Sequence, residues 1–214
     1  MKKRIWLDCD GVLLDWTRPF LVFSGLATRG VKYEDIFDID LTKLYKTPED
    51  FYEVMHKYHQ SDTFSNLPAL ISQGAIEMLK NFGYELHVIT QIENNPISRM
   101  NRMGNLTHRF GAVFTGVHFT ERGQSKLDYI LNMYPGDKAI VIEDHPTFLK
   151  EASDYIETKL IRYGWSELLA YGVKHPYNED ALKDIKYIVK VPDTTSAIMN
   201  ILNSAVQGQS EGVA

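Results

Sequence analysis

The feature that most constrains this chain is a pair of aspartates one residue apart at the end of its first apolar run, Ile5-Trp6-Leu7-Asp8-Cys9-Asp10-Gly11-Val12. Arg4-Ile5-Trp6-Leu7 is short, β-favouring and bounded by charge and glycine, which reads as a buried strand. Alternate side chains of a strand share a face, so Asp8 and Asp10 are expected on one side of its carboxyl end. Two carboxylates aimed the same way repel, and each is costly there without a cation or hydrogen bonds. A solvated Asp-Gly turn is the plain alternative. The chemical reading is a metal-assisted site, with one carboxylate as nucleophile and metal ligand and the other moving a proton.

With 214 residues, the chain can hold one α/β core plus an insertion, or two small domains. Its net charge of −5 argues against a general nucleic-acid binder, because phosphate-backbone affinity needs a basic face. No apolar stretch is long enough for a membrane span, and the basic start runs at once into Asp8 and Asp10, unlike a signal peptide. The single cysteine, Cys9, excludes a disulfide framework and makes a reducing cytoplasm the expected compartment. Cys9 should point into the core, away from the aspartates, as a small apolar thiol. Residues 207–214 read as a flexible tail.

From residue 68 onward, helical and strand-like segments alternate. Ala75 to Phe82 has helical spacing, with Gly83 as its stop. Strands are expected at Glu85 to Thr90, Ala112 to Val117, Ala139 to Ile142, Lys159 to Tyr163 and Tyr187 to Val191. Helices are expected after Pro96, after a Ser125 cap, and from Thr194 or Thr195. Such alternation implies a parallel sheet with right-handed crossovers, in which ligands bind at the carboxyl ends of the strands. Polar residues stand where that rule wants them: Asp8 and Asp10, Thr90, and Glu143 with Asp144. Residues 15–67 break the pattern. They are aromatic-rich, and Thr47-Pro48-Glu49-Asp50 opens a helix with a capping hydroxyl, a first-turn proline and two acids. This segment reads as a small helical cap inserted after the first strand, dividing the chain into a core of 1–14 and 68–206 and a cap of 15–67.

The ordered set of motifs resembles the haloacid dehalogenase superfamily of phosphotransferases. The residues that carry the resemblance are Asp8-Cys9-Asp10-Gly11-Val12, Val88-Ile89-Thr90, Gln124-Ser125-Lys126-Leu127 and Val141-Ile142-Glu143-Asp144. It implies a Rossmann-like α/β fold, a parallel sheet with helices on both faces, and a Mg²⁺-dependent hydrolase acting on a small phosphorylated substrate. By this resemblance Asp8 is the nucleophile that becomes an aspartyl-phosphate and also binds Mg²⁺. Asp10 protonates the leaving oxygen, then activates water, and its backbone carbonyl touches the metal. Asp144 is the second carboxylate ligand, with Glu143 acting directly or through water. Thr90, Gln91 and Lys126 hold the phosphoryl group, with Arg122 the nearby alternative to Lys126.

Within that superfamily, Asp10-Gly11-Val12-Leu13-Leu14-Asp15-Trp16 looks like the opening of the 5′(3′)-deoxyribonucleotidases, and Phe64-Ser65-Asn66-Leu67-Pro68 is similar to their exit from the cap. The implied substrate is a nucleotide whose base meets Trp16, Phe20 and Phe64, where stacking contributes about 1–3 kcal/mol with little regard to base identity. The sequence departs from that family at Gln91-Ile92-Glu93, where a Ser-Pro step is usual, and in a longer loop before Lys126. A sugar phosphate or other small metabolite is the alternative substrate, and a non-catalytic phosphate-binding regulator the alternative class. His56 and His59 stand at i,i+3 without an acidic partner in sequence, a weak zinc signal. Arg99, Arg102, His108 and Arg109 read as a solvated helix face. Oligomeric state is left open.

Overall fold

β1 (Arg4–Leu7) is buried along its whole length, as a central strand covered on both faces must be. The computed structural model describes residues 3–36, 40–164 and 166–210. After β1 come α1 (Thr17–Phe23), α2 (Pro48–His59), α3 (Asp62–Ser65) and α4 (Gln73–Asn81), then β2 (Glu85–Gln91), α5 (Pro96–Phe110), β3 (Gly116–Thr120) and α6 (Lys126–Met133). The chain continues through β4 (Ala139–Glu143), α7 (Pro146–Tyr163), β5 (Leu168–Val173), α8 (Glu179–Lys183), β6 (Val189–Val191) and α9 (Thr194–Ser210). The six strands form one parallel sheet in the order β3-β2-β1-β4-β5-β6. The chain therefore builds outward from β1 to β3, then returns to the other side of β1 with β4. Ligands in such sheets sit outside the carboxyl ends at that reversal, and both acidic motifs end there.

The pleat of β1 divides the core. Ile5 and Leu7 pack with Ile76 and Leu79 of α4, Phe110 of α5 and Ile198 of α9. Trp6 points the other way, among Leu127 and Ile130 of α6 and Leu149 and Ile156 of α7. Helices thus cover both faces. The expected starts at Thr47 and Ser125 are realised as caps: Thr47 and Asp50 form a reciprocal capping box, and Ser125 accepts from the Asp128 N–H.

The segment 15–67 carries α1, α2, α3 and three short 3₁₀ turns. Its aromatic residues Phe20, Phe51, Tyr58 and Phe64 are buried in contact with the core of the sheet domain. Residues 37–39 of the segment, and 211–214 of the expected tail, lie outside the described residues, while 207–210 continue α9.

Three expected strands need correction. Lys159 to Tyr163 is the last turn and a half of α7, which Gly164 ends at φ +75° with its N–H on the Leu160 carbonyl. The apolar residues that suggested a strand face solvent, Ile161 at 80% exposure. The fifth strand is Leu168–Val173 instead, an apolar run whose pattern is interrupted by Gly172 within it. β3 lies four residues beyond the expected start at Ala112, and β6 begins at Val189 because Tyr187 adopts φ +53°.

Candidate active site

Asp8 follows β1 directly, and its N–H extends the ladder by donating to the Ile142 carbonyl at 2.9 Å. Gly11 then turns the chain at φ +80°. A Cβ there would lie 2.1 Å from Asp144 Oδ2, so only glycine lets the two acidic loops approach this closely. Lys126, the first residue of α6, reaches across to both: its Nζ donates to Asp8 Oδ1 at 2.6 Å and to Glu143 Oε2 at 2.9 Å. Glu143 is fully enclosed, and its Oε1 accepts the backbone N–H groups of Asp144 and His145, each at 3.1 Å. Asp144 Oδ2 accepts from the Tyr177 hydroxyl, and Asn178 Nδ2 donates to the Asp144 carbonyl at 2.6 Å.

Asp8, Glu143 and Asp144 each offer an oxygen within 4.8 Å of the others, and all three are buried. Burial pushes the Asp8 carboxyl up to about 6, Glu143 adds to this, and Lys126 pulls the other way. Asp144 is also raised well above the usual carboxylate range, by burial first and then by Glu143 and Asp8. Burial alone would lower the Lys126 ammonium, but Asp8 and Glu143 outweigh it and keep it charged. Crowded carboxylates in need of more positive charge, with oxygen as the only donor atom, suit a hard divalent cation such as Mg²⁺. The three carboxylates fit that ion.

Asp10 lies on the same side of the chain turn but in different company. Its Oδ2 accepts from Arg102 NH2 at 2.6 Å, and Arg102 NH1 lies 3.0 Å from Cys9 Sγ. Arg102 is 1% exposed, so the solvated face expected of Arg99, Arg102, His108 and Arg109 holds for His108, holds in part for the half-buried Arg99 and Arg109, and fails for Arg102. Cys9 points into the core, where burial pushes its thiol up and makes it inert.

A cavity of about 290 Å³ opens over these groups, floored by Asp8, Asp10, Lys126 and Asp144 and walled by Trp16, Ile36 and Leu41 of the inserted segment. Gln91, Gln124, Ser125 and Thr147 supply neutral polar groups, and Phe148 and Tyr177 complete the wall. Of the residues expected to hold phosphate, Lys126 and Gln91 line this cavity, whereas Thr90 is buried in β2 and does not. Among the aromatics, Trp16 lines it, stacked on Phe20 at 4.5 Å between centroids and donating from Nε1 to His59 Nε2 at 3.3 Å. Phe20 and Phe64 correct the expected base pocket: both are fully buried and off the wall. Phe20 backs the indole, and Phe64 lies beneath the Arg102 guanidinium, 4.5 Å from ring centroid to Cζ.

Long-range pairing supplied what local spacing did not. Glu93 lies 2.6 Å from His56 Nδ1 and 3.5 Å from His59 Nδ1, an acidic partner that sequence distance hid. Burial lowers His59 to about 4, so it stands neutral as the acceptor for Trp16. His145 caps α7 through its Nδ1. His175 bridges the Gly11 carbonyl and the Tyr33 hydroxyl, each at 2.7 Å. Tyr177, Asn178 and His175 carry no motif. Their only signal is a polar cluster shortly after an unrecognised strand.

No protein-family model and no curated protein sequence matches the chain. Solved structures do. A haloacid dehalogenase-like family hydrolase from Streptococcus pneumoniae superposes with a TM-score of 0.59 at 11% identity, over 95% of this chain and 98% of that one. A candidate haloacid dehalogenase-like hydrolase from Burkholderia xenovorans gives 0.58 at 13%, over 92% and 95%. A haloacid dehalogenase-like family hydrolase from Xanthomonas campestris gives 0.54 at 11%, over 98% of both. What is shared at these identities is the fold, over nearly the whole chain.

Proposed function

We propose that this chain is a Mg²⁺-dependent phosphomonoesterase working through a phosphorylated Asp8, and that its substrate is a nucleoside monophosphate. The observation that carries the reading is Asp8 at the tip of β1, held by Lys126 at 2.6 Å beside the acids that end β4, on the floor of an open cavity. Asp8, Glu143 and Asp144 would hold the ion, the Asp8 and Asp144 carboxylates facing the cavity and Glu143 set back behind Lys126. When bound, Mg²⁺ supplies positive charge that offsets the phosphoryl dianion.

Asp8 attacks phosphorus, and the bond from phosphorus to the leaving oxygen breaks. Asp10 gives that oxygen its proton, then takes one from the water that hydrolyses the aspartyl-phosphate. Lys126 orients Asp8 through Oδ1 and neutralises charge gathering on the phosphoryl oxygens. Glu143 holds the lysine in place. The inserted segment 15–67 acts as the cap, contributing the wall opposite the acids.

Two features support a nucleoside monophosphate. Trp16 presents an indole already anchored on its far side by Phe20 and His59, so little side-chain freedom is lost when a planar base stacks on it. Lys126 is also the only Lys or Arg among the described lining residues, against Asp8, Asp10, Asp144 and Glu151. A second phosphate or carboxylate on the substrate would meet repulsion there. Release of inorganic phosphate from nucleoside monophosphates, nucleoside bisphosphates and sugar phosphates, compared by kcat/KM in Mg²⁺, tests the reading. The monophosphates should lead. Equal or better turnover of sugar phosphates removes the nucleotidase assignment, and absence of any turnover removes the phosphatase.

A further inference from the structure

We infer that Arg102 is the positioning residue for Asp10, setting the orientation of the proton-transferring carboxylate from inside the core; this rests on the phosphatase reading above. A fully buried arginine is rare, and it persists only where its charge is paired. Here the pairing reaches across 92 residues of sequence to the site itself.

The surroundings of Arg102 explain how the hold is made. The guanidinium lies over the Phe64 ring, which gives it a flat platform and a favourable cation–π contact. Phe64 in turn is tied to α5, because Asn105 Nδ2 donates to its carbonyl at 3.0 Å. NH1 is taken up by Cys9 Sγ and NH2 by Asp10 Oδ2. Asp10 Oδ1 and Arg102 Nε have no hydrogen-bond partner among the described residues. A single charged contact therefore anchors the Asp10 carboxylate, whose side chain stays 30% exposed. Lys126 serves Asp8 in the same manner from the opposite side of the site. The two carboxylates are thereby oriented by separate cations, one on α6 and one on α5.

Substrates that differ in their need for a proton test this. An aryl ester such as p-nitrophenyl phosphate expels a stable anion and needs little help from Asp10, whereas a nucleoside 5′-monophosphate expels an alkoxide and needs its proton. Arg102→Met should cut kcat/KM for the nucleotide at least tenfold more than for the aryl ester, and Arg102→Lys should recover part of the difference. Asp10→Asn should show the same selective loss, and adding Arg102→Met to it should cost little more. Should Arg102→Met fail to fold, Phe64→Leu removes the platform and leaves the charge pair, with a smaller loss of the same selectivity. Parallel losses on both esters, or additive losses in the double variant, overturn the inference while leaving the phosphatase reading intact. A wild-type protein inert towards both esters overturns that reading, and the inference with it.

Discussion

The two ends of β1 both bury charge, and they do so on opposite terms. At its amino end Arg4 lies between Glu85, at 2.9 Å, and Asp137, with its guanidinium 3.6 Å above the Tyr134 ring. The two acids there keep about a quarter of their side chains exposed, so water shares in stabilising them. At the carboxyl end, among the described residues, Asp8 and Glu143 share Lys126, Asp10 pairs with Arg102, Asp144 has the Tyr177 hydroxyl and no cation, and most of these groups are enclosed. The first arrangement ties strands together. The second concentrates negative charge over an open cavity, which costs stability and gains a site for a cation and a phosphate.

Removing a charge at each end should therefore have opposite signatures. Asp8→Asn is expected to abolish turnover, by roughly a thousandfold or more, while leaving Tm unchanged or raised, because it relieves repulsion from Glu143 and Asp144. Near-normal turnover would break the covalent mechanism, and a large fall in Tm would make the carboxyl end structural too. Arg4→Met should do the reverse, lowering stability by about 1–3 kcal/mol in denaturant titration, with kcat/KM untouched. Mg²⁺ should raise Tm by a few degrees at millimolar concentration, since it binds only the folded cluster. EDTA should reverse this, and in Asp144→Asn the shift should shrink or vanish. Trp16→Ala should lower kcat/KM for nucleotides by the worth of a base stack, about 1–3 kcal/mol, and leave glycerol phosphate nearly unaffected.

The smallest effect concerns pH. His87 packs against Trp6 and hydrogen-bonds His118 at 3.0 Å on the amino-terminal side of the sheet. Burial first, then His118 and Arg4, lower it from 6.5 to about 4, with Glu85 opposing. Its folded value is depressed, so its contribution to stability is present above pH 6.5 and is lost as pH falls towards 4. His87→Gln should flatten the loss of stability between those limits relative to wild type, measured by Tm against pH. An unchanged slope would assign the acid sensitivity to the carboxyl end.

What could be read from the chain follows from how local each signal is. The strand and turn at Ile5 to Gly11, the cap at Thr47, the Ser125 cap and the acids after Ile142 are all written within a few residues, and the structure has them there. The strand expected at Lys159 to Tyr163 failed because α7 carries surface Leu160 and Ile161, and a short apolar run does not distinguish an exposed helix turn from a buried strand. β5 escaped notice for the complementary reason. Phe20 and Phe64 were expected at a base pocket because aromatic content says nothing of which ring faces a cavity and which fills a core.

The sequence by itself determined the strand-and-helix alternation and the order in which the acidic and basic motifs arrive at the sheet edge, since both depend on periodicity and turn chemistry over a few residues. Tertiary structure alone decided that Lys126 would join Asp8 to Glu143, that Arg102 would be drawn inside to Asp10, and that Tyr177 would meet Asp144. Those pairings span from 17 to 118 residues of chain, and only packing brings such distant charges out of water and into contact.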